Sequence, residues 1–380
     1  MKIKLSKSVL GSYCVALAAL VTQAHAGNPP LTFSPFIDSE SLGTIYSGDS
    51  SPIGITYTGN GFVGTGGYNS GSPLLYQTGL NGSLMAPNTP TGSISTFGSL
   101  VGPSNNIAGE NVLSASPDGS LFGSNQIYAG SGGSGNILTF ASAHSTPTIF
   151  ATTTSGDVRG ISFDTSGLYN NDMIVTTTSG AIDEISSTGQ VDQLAYLGTD
   201  TEGIGFATQQ FGTFAAGTLF TASENTDWIN AISPLGAVTP VFQIPDAESI
   251  SFVPTNIASD TNPLDGLYGV NWPDDIEFAA ASEFVPYAGD VIVTSEIDGG
   301  NPNIYAVSLN SDDQATITGI GTIGDQPEDS IFVTSQTLQV HGGGVPDGGN
   351  AAVMLLFGVL SLGALAHRRK SAHSTGTPAS

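Results

Sequence analysis

Five charged residues of this sequence share one position in a recurring pattern. Glu110, Arg159, Glu202, Glu248 and Glu328 each stand just before a short alternating apolar run, and Ile53 holds the same place before an earlier run. Brought together, four carboxylates would need compensation. Two unpaired carboxylates about 7 Å apart repel by roughly 2 kcal/mol at an effective dielectric near 20, and several such pairs would strain a marginally stable fold. Three remedies exist: ion pairs from Arg159 to Glu110 and Glu202, raised carboxyl pKa values, or a bound cation. One guanidinium cannot neutralise four carboxylates, so a cation is expected as well, with Glu110, Glu202, Glu248 and Glu328 as its candidate ligands. Calcium fits, as a hard ion that takes six to eight oxygen ligands. Zinc does not, because the only histidines between the two ends of the chain are His144 and His341, and the single cysteine is Cys14.

The column converges only if the intervening elements are arranged around an axis. Asp200-Thr201-Glu202-Gly203-Ile204-Gly205-Phe206 has a copy 46 residues later at Asp246–Phe252 and one 43 residues earlier at Asp157–Phe163. Looser copies fall at Glu110–Val112, at Glu328–Phe332 and, faintly, at Ile53–Ile55. After the clearer copies come three further alternating β runs separated by Ser, Gly, Asn and Asp turns. Four short strands per ~45 residues mark a β-propeller blade. The expected fold is therefore all-β: a propeller of six blades, each with four antiparallel strands. Orphan runs at Leu31-Thr32-Phe33 and Gly43–Tyr46 would pair with Ile331–Val333 and Thr337–Val340, joining the two ends in one blade and closing the ring. The fifth blade carries an insertion of about 35 residues, with a short helix expected over Ile276–Phe284 capped by Asp275. Strands hidden in that insertion would make the count seven, and an open sandwich is the remaining architecture.

In such a propeller the loops between second and third strands emerge on the face of the acidic column. They bring Glu224, Asn225 and Asp227 from blade four, and Glu296, Asp298, Asn301 and Asn303 from blade five. With Arg159, the residues Glu224, Asp227, Glu296 and Asp298 are candidate ligand contacts. The insertion, lying between first and second strands, is expected on the opposite face. A glycine heads three of the six first strands, at Gly54, Gly160 and Gly203, where packing around the axis leaves little room for a side chain.

The composition bounds the partners. All 32 Asp and Glu lie between Asp38 and Asp347, and Arg159 is the one Lys or Arg in that stretch. Such a surface repels nucleic acid and anionic lipid and attracts divalent cations. Residues 1–26 read as a signal peptide: Lys2, Lys4 and Lys7, an apolar segment Val9–Val21, then Ala24-His25-Ala26 as a cleavage site for signal peptidase. Cys14 would leave with it, so the mature chain has no thiol for disulfides, metal or catalysis. Residues 27–344 form the propeller domain. Beyond them, Val345-Pro346-Asp347-Gly348-Gly349 precedes an apolar run, 351–366, and a basic cluster that includes Arg368 and Arg369. A helix over the run would span ~24 Å, a little short of the ~30 Å bilayer core. The cations place the tail, 371–380, in the cytoplasm.

Motif, span and cations in that order resemble the VPDSG-CTERM sorting signal, a relative of the PEP-CTERM signals, over residues 345–370. Gly348 stands where the name-giving motif has Ser. The resemblance implies an inner-membrane precursor, cut by exosortase and passed to the cell surface or extracellular matrix. The D-x-E-G-I pattern in turn is similar to calcium-dependent six-bladed propeller hydrolases of the gluconolactonase-like and esterase-like, phytase-like groups. That resemblance implies Glu202, Glu248 and Glu328 as metal ligands. A phytase would need several cations to hold phosphate, and only Arg159 is at hand. Two functions therefore stay open: a non-catalytic surface or matrix propeller, or a calcium-dependent hydrolase of a neutral or cationic ester, lactone or sugar derivative. In the second, one collar carboxylate would act as base. The Gly/Ser-rich turn at Gly130–Gly135 lacks the strand-to-helix setting of a nucleophile elbow.

Overall fold

The computed structural model describes residues 29–46, 51–59, 61–67, 74–79, 94–100, 110–259, 262–297, 302–324 and 326–334. The chain divides into two units, Met1–Leu338 and Gln339–Ser380, and every described residue lies in the first. The expected signal peptide, the strand at Thr337–Val340, the sorting signal and the apolar run all lie outside the described residues. Among the described residues no helix is long and apolar enough to cross a membrane.

Among the described residues, six sheets of four antiparallel strands form a six-bladed β-propeller. The inner strands are Ile55–Tyr57, Leu113–Ala115, Val158–Phe163, Ile204–Phe206, Ala247–Phe252 and Gln326–Val333. Each touches the next, and the last touches the first, so the ring is closed. The second strands of the blades are covered on both faces, so that Met173–Thr177 and Leu219–Ser223 are buried at every position. In blade three, Met173, Val175 and Ile185 pack toward blade two with Tyr128 and Ile137, while Ile174 and Ile182 pack toward blade four with Leu219 and Ile232. Each of the six blade-to-blade junctions has an apolar cluster of this kind. Full burial of one such aliphatic side chain stabilises by about 1.5–3 kcal/mol.

Blade six departs from the expected composition. Its inner strand is Gln326–Val333, but its two middle strands, Gly266–Trp272 and Asp275–Ala280, come from the blade-five insertion. The insertion thus hides strands without adding a seventh blade. The outer strand is Ser34–Ile37, paired antiparallel with Asp275–Ala280, so the N-terminal segment does close the ring. Leu31-Thr32-Phe33 falls just before that strand, and Leu31 packs against blade five.

Two expected local conformations are corrected. Gly43–Tyr46 is the end of an α-helix, Ser39–Tyr46, and not a strand. Asp38 caps it, its Oδ1 accepting the Ser41 N–H at 2.8 Å, and Leu42 and Tyr46, one turn apart, are both buried. Conversely, Asp275 caps no helix. Ile276 and Phe278 are buried with Glu277 between them, a period of two that builds the strand Asp275–Ala280. A 3-10 helix, Ala281–Tyr287, follows it.

The face assigned to the insertion is corrected too. Trp272 pairs with Gln326, so the Trp272–Asp275 turn lies at the end of blade six that carries Glu328. Only the insertion's entry and exit, next to Phe252 and Val291, lie at the opposite end.

Candidate metal centre in the axial cavity

A cavity of about 270 Å³ runs along the axis, and all six column positions line it: Ile53, Glu110, Arg159, Glu202, Glu248 and Glu328. Arg159, Glu248 and Glu328 lie within their inner strands, whereas Ile53, Glu110 and Glu202 lie just before theirs. Below this acidic ring the wall turns apolar and hydroxylic, with Ile161, Ile204, Ile250, Phe252, Ser162 and Ser251 among its residues.

The glycines following the ring residues permit the convergence. A Cβ on Gly160 would lie 2.5 Å from the Glu202 carbonyl oxygen, and one on Gly203 would lie 2.2 Å from that of Glu248. Each glycine therefore makes room for the backbone of the next blade's glutamate. Second strands hold the same carbonyls. Thr176 Oγ1 donates to Glu202 O at 2.9 Å, and Thr65 Oγ1 donates to Asn111 O in the equivalent junction between blades one and two.

The carboxylates separate into two groups. Arg159 anchors the first. Its Nε lies 3.2 Å from Asp200 Oδ1 and 3.2 Å from Glu202 Oε1, its Nη2 lies 2.9 Å from Asp200 Oδ2, and its Nη1 contacts Glu110. Glu224 completes this group, with one oxygen each from Asp200, Glu202 and Glu224 within 4.8 Å of one another. Burial works against the Arg159 charge, but Glu202, Asp200 and Glu248 outweigh it and raise its pKa.

The second group is Glu248, Glu296 and Glu328, again with oxygens mutually within 4.8 Å. Two oxygens each ~2.4 Å from a shared calcium ion can be at most about that far apart. Glu248 and Glu328 are 7% and 5% exposed, and the Oε2 of each is buried with no hydrogen-bond partner. Burial, followed by the neighbouring carboxylates Glu202 and Glu296 respectively, drives both carboxyl pKa values upward. Burial also raises Glu296 and pushes Glu202 up to about 7. A cluster of oxygen donors with two orphaned atoms is suited to a hard cation, and the acidic groups present could hold a metal ion.

Several sequence candidates stand elsewhere. Glu110 lies on Arg159 and is not part of either group. Asp227, in the left-handed conformation at φ 63°, accepts the Asp246 N–H at 3.2 Å and closes the loop between blades four and five. Asn303 is fully buried and bonds the Ile323 backbone through both side-chain atoms, a structural role. Asp298 and Asn301 lie outside the described residues. His144 is exposed on an outer turn, where its N–H donates to Phe97 O. Asp200 was missed as a contact of the site. Its signal was present, since the D-x-E spacing puts it two residues from Glu202 at the strand entrance, where Arg159 can reach both.

No protein-family model matches the sequence, and no curated protein matches it. Solved structures do resemble it. A catalytically inactive virginiamycin B lyase from Staphylococcus aureus with quinupristin is 14% identical, with 74% of each chain covered and a TM-score of 0.45. A PQQ-bound aldose sugar dehydrogenase from Streptomyces coelicolor is 15% identical, over 84% of this chain and 97% of that one, with a TM-score of 0.44. A streptogramin B lyase is 14% identical over 76% and 87% of the two chains, with a TM-score of 0.40. At such identities nothing about chemistry follows from them.

Proposed function

We propose that this protein is an exported, exosortase-sorted propeller of the cell surface or extracellular matrix, with a non-catalytic binding or structural role built on a calcium ion at Glu248, Glu296 and Glu328. One observation carries the calcium reading: three carboxylates within coordinating distance of each other, two of them with a buried oxygen that nothing satisfies. Backbone carbonyls and water would complete the six to eight ligands calcium takes. The ion would stabilise the ring by neutralising charge where three blade segments meet. The signal-peptide pattern and the resemblance of residues 345–370 to a sorting signal support the address. The surplus of carboxylates around the mouth favours a neutral or cationic ligand over a polyanion.

The test is metal analysis of the purified full-length chain after equilibration with calcium and exhaustive dialysis. One calcium per chain is expected, lost in Glu248→Gln and in Glu328→Gln. At a calcium concentration 100 times its dissociation constant, stability should rise by about 2.7 kcal/mol. Absence of bound calcium together with an unchanged Tm overturns the reading.

A second reading, calcium-dependent hydrolysis, has its own support. Glu202 is pushed up to about 7 by burial and lies against Glu248 at the edge of the second group. A carboxyl poised near neutrality can accept a proton from water and return it to a leaving group. Bound calcium would supply Lewis-acid polarisation of a carbonyl. Turnover of neutral esters or lactones, abolished in a still-folded Glu202→Gln variant, would favour this reading over the first.

A further inference from the structure

The two carboxylate groups are alike in number and spacing, yet they differ in what faces them. Asp200 and Glu202 pair directly with a guanidinium; Glu248, Glu296 and Glu328 form no ion pair among the described residues and feel the Arg159 charge only at longer range. We propose that Arg159 fills a second cation subsite at Asp200, Glu202 and Glu224, so that the cavity takes one metal ion where its carboxylates could hold two. The inference rests on the calcium reading above and goes beyond it by assigning each group its own cation.

Geometry supports this assignment. Arg159 faces Asp200 with two nitrogens, Nε at 3.2 Å and Nη2 at 2.9 Å from separate carboxylate oxygens, the fork arrangement in which guanidinium binds most strongly. The same Nε reaches Glu202 Oε1 at 3.2 Å, so one planar group touches two of the three carboxylates that would otherwise surround an ion. A tethered cation is always at high local concentration, and an incoming ion would have to displace it into a cavity where its charge would be stranded. Glu110 holds the far side of the guanidinium and blocks its retreat. The second group has no such occupant, and its orphaned oxygens, Glu248 Oε2 and Glu328 Oε2, point to a ligand from solution. Blade three is also the one blade whose column residue is basic, so removing that side chain should leave a ring of carboxylates open on both sides.

Calcium stoichiometry tests it. Equilibrium dialysis of the full-length chain should give one calcium in the parent, two in Arg159→Gln, and one again in Arg159→Gln with Glu224→Gln. A parent value of one with Arg159→Gln also at one overturns the inference and leaves the calcium reading standing. A parent value of zero defeats that reading instead. Should Arg159→Gln fail to fold, Asp200→Asn and Glu224→Gln serve in the parent background. Each should bind a single calcium with affinity within about threefold of the parent, while Glu296→Gln weakens it at least tenfold. Equal weakening by Asp200→Asn and Glu296→Gln overturns the assignment, since a shared single site would then span both groups.

Discussion

Glu277 shows how a single half-buried carboxyl sets a pH response apart from the axial site. It lies between the buried side chains of Ile276 and Phe278, and burial, then Asp275, pushes it up to about 7 from an ordinary value of 4.5. Between those values the folded chain keeps a proton that the unfolded chain releases. Its contribution is therefore fully present below about pH 4.5 and is lost as pH rises through about 7. Because the group is only partly buried, solvent screening limits the effect to the order of 1 kcal/mol. Chemical denaturation of the parent at pH 5 and pH 8 should show that loss, and Glu277→Gln should reduce it. An unchanged pH slope in the variant would place the response elsewhere.

At the same scale, the acidic column could be read from the sequence because each blade contributes one residue at one fixed offset, which a repeat alignment exposes. The split into two groups could not. It depends on Glu296 and Glu224, which leave second strands rather than enter first ones, and on the length of the Arg159 side chain, which reaches Asp200 as well as the expected Glu110 and Glu202.

Among the elements, the second-strand threonines act as straps between blades. Thr176 Oγ1 bonds the Glu202 carbonyl of the next blade, and Thr294 Oγ1 meets Ser249 Oγ, which in turn meets Ser330 Oγ of blade six. Thr176→Val keeps the shape and removes the donor, leaving a buried carbonyl short of a partner. It should cost about 1–3 kcal/mol by urea unfolding. A cost indistinguishable from zero would show that the glycine packing alone positions Glu202. These straps were hidden in the sequence because threonine is common in any strand.

Blade six was only partly legible for a related reason. Leu31–Phe33 and Gly43–Tyr46 were expected to pair with Ile331–Val333 and Thr337–Val340 in one blade, whereas the outer strand is Ser34–Ile37, and Gly266–Trp272 and Asp275–Ala280 looked like an appendage of blade five. The apolar alternation of Ile276 and Phe278 signals a strand, and the acidic residues beside them resemble a helix start. Tertiary pairing with Ser34–Ile37 decided between them. Asp329 reinforces the seam, its Oδ2 accepting the Ile55 N–H of blade one at 3.0 Å and its Oδ1 accepting the Ser330 N–H. Asp329→Ala should destabilise by about 1–3 kcal/mol through the stranded Ile55 N–H. Hydrogen exchange at Ile55 should rise in that variant more than at Ile174 of blade three. Equal rises at both would mean that the ring opens as a whole rather than at the seam.

On the scale of the molecule, charge governs behaviour. One arginine stands against 32 acidic residues between Asp38 and Asp347, so like-charge repulsion presses outward on the closed ring. Raising monovalent salt from 0.01 M to 0.15 M shortens the screening length from about 30 Å to about 8 Å. The Tm of the calcium-free chain should climb over that interval, and calcium at millimolar levels should add a further rise that magnesium does not match. Equal rises with both divalent ions would indicate screening alone, with no selective site.

The strand made earliest in this domain is among the last that can dock. Ser34–Ile37 waits for Asp275–Ala280, about 240 residues downstream, and that partner in turn needs Gly266–Trp272 and Gln326–Val333 to be held in place. At a synthesis rate of roughly 5–20 residues per second, the N-terminal segment stays unpaired for some tens of seconds. The closing velcro is thus fastened only after nearly the whole chain has emerged, and an agent that captured those first residues would keep the ring from ever forming.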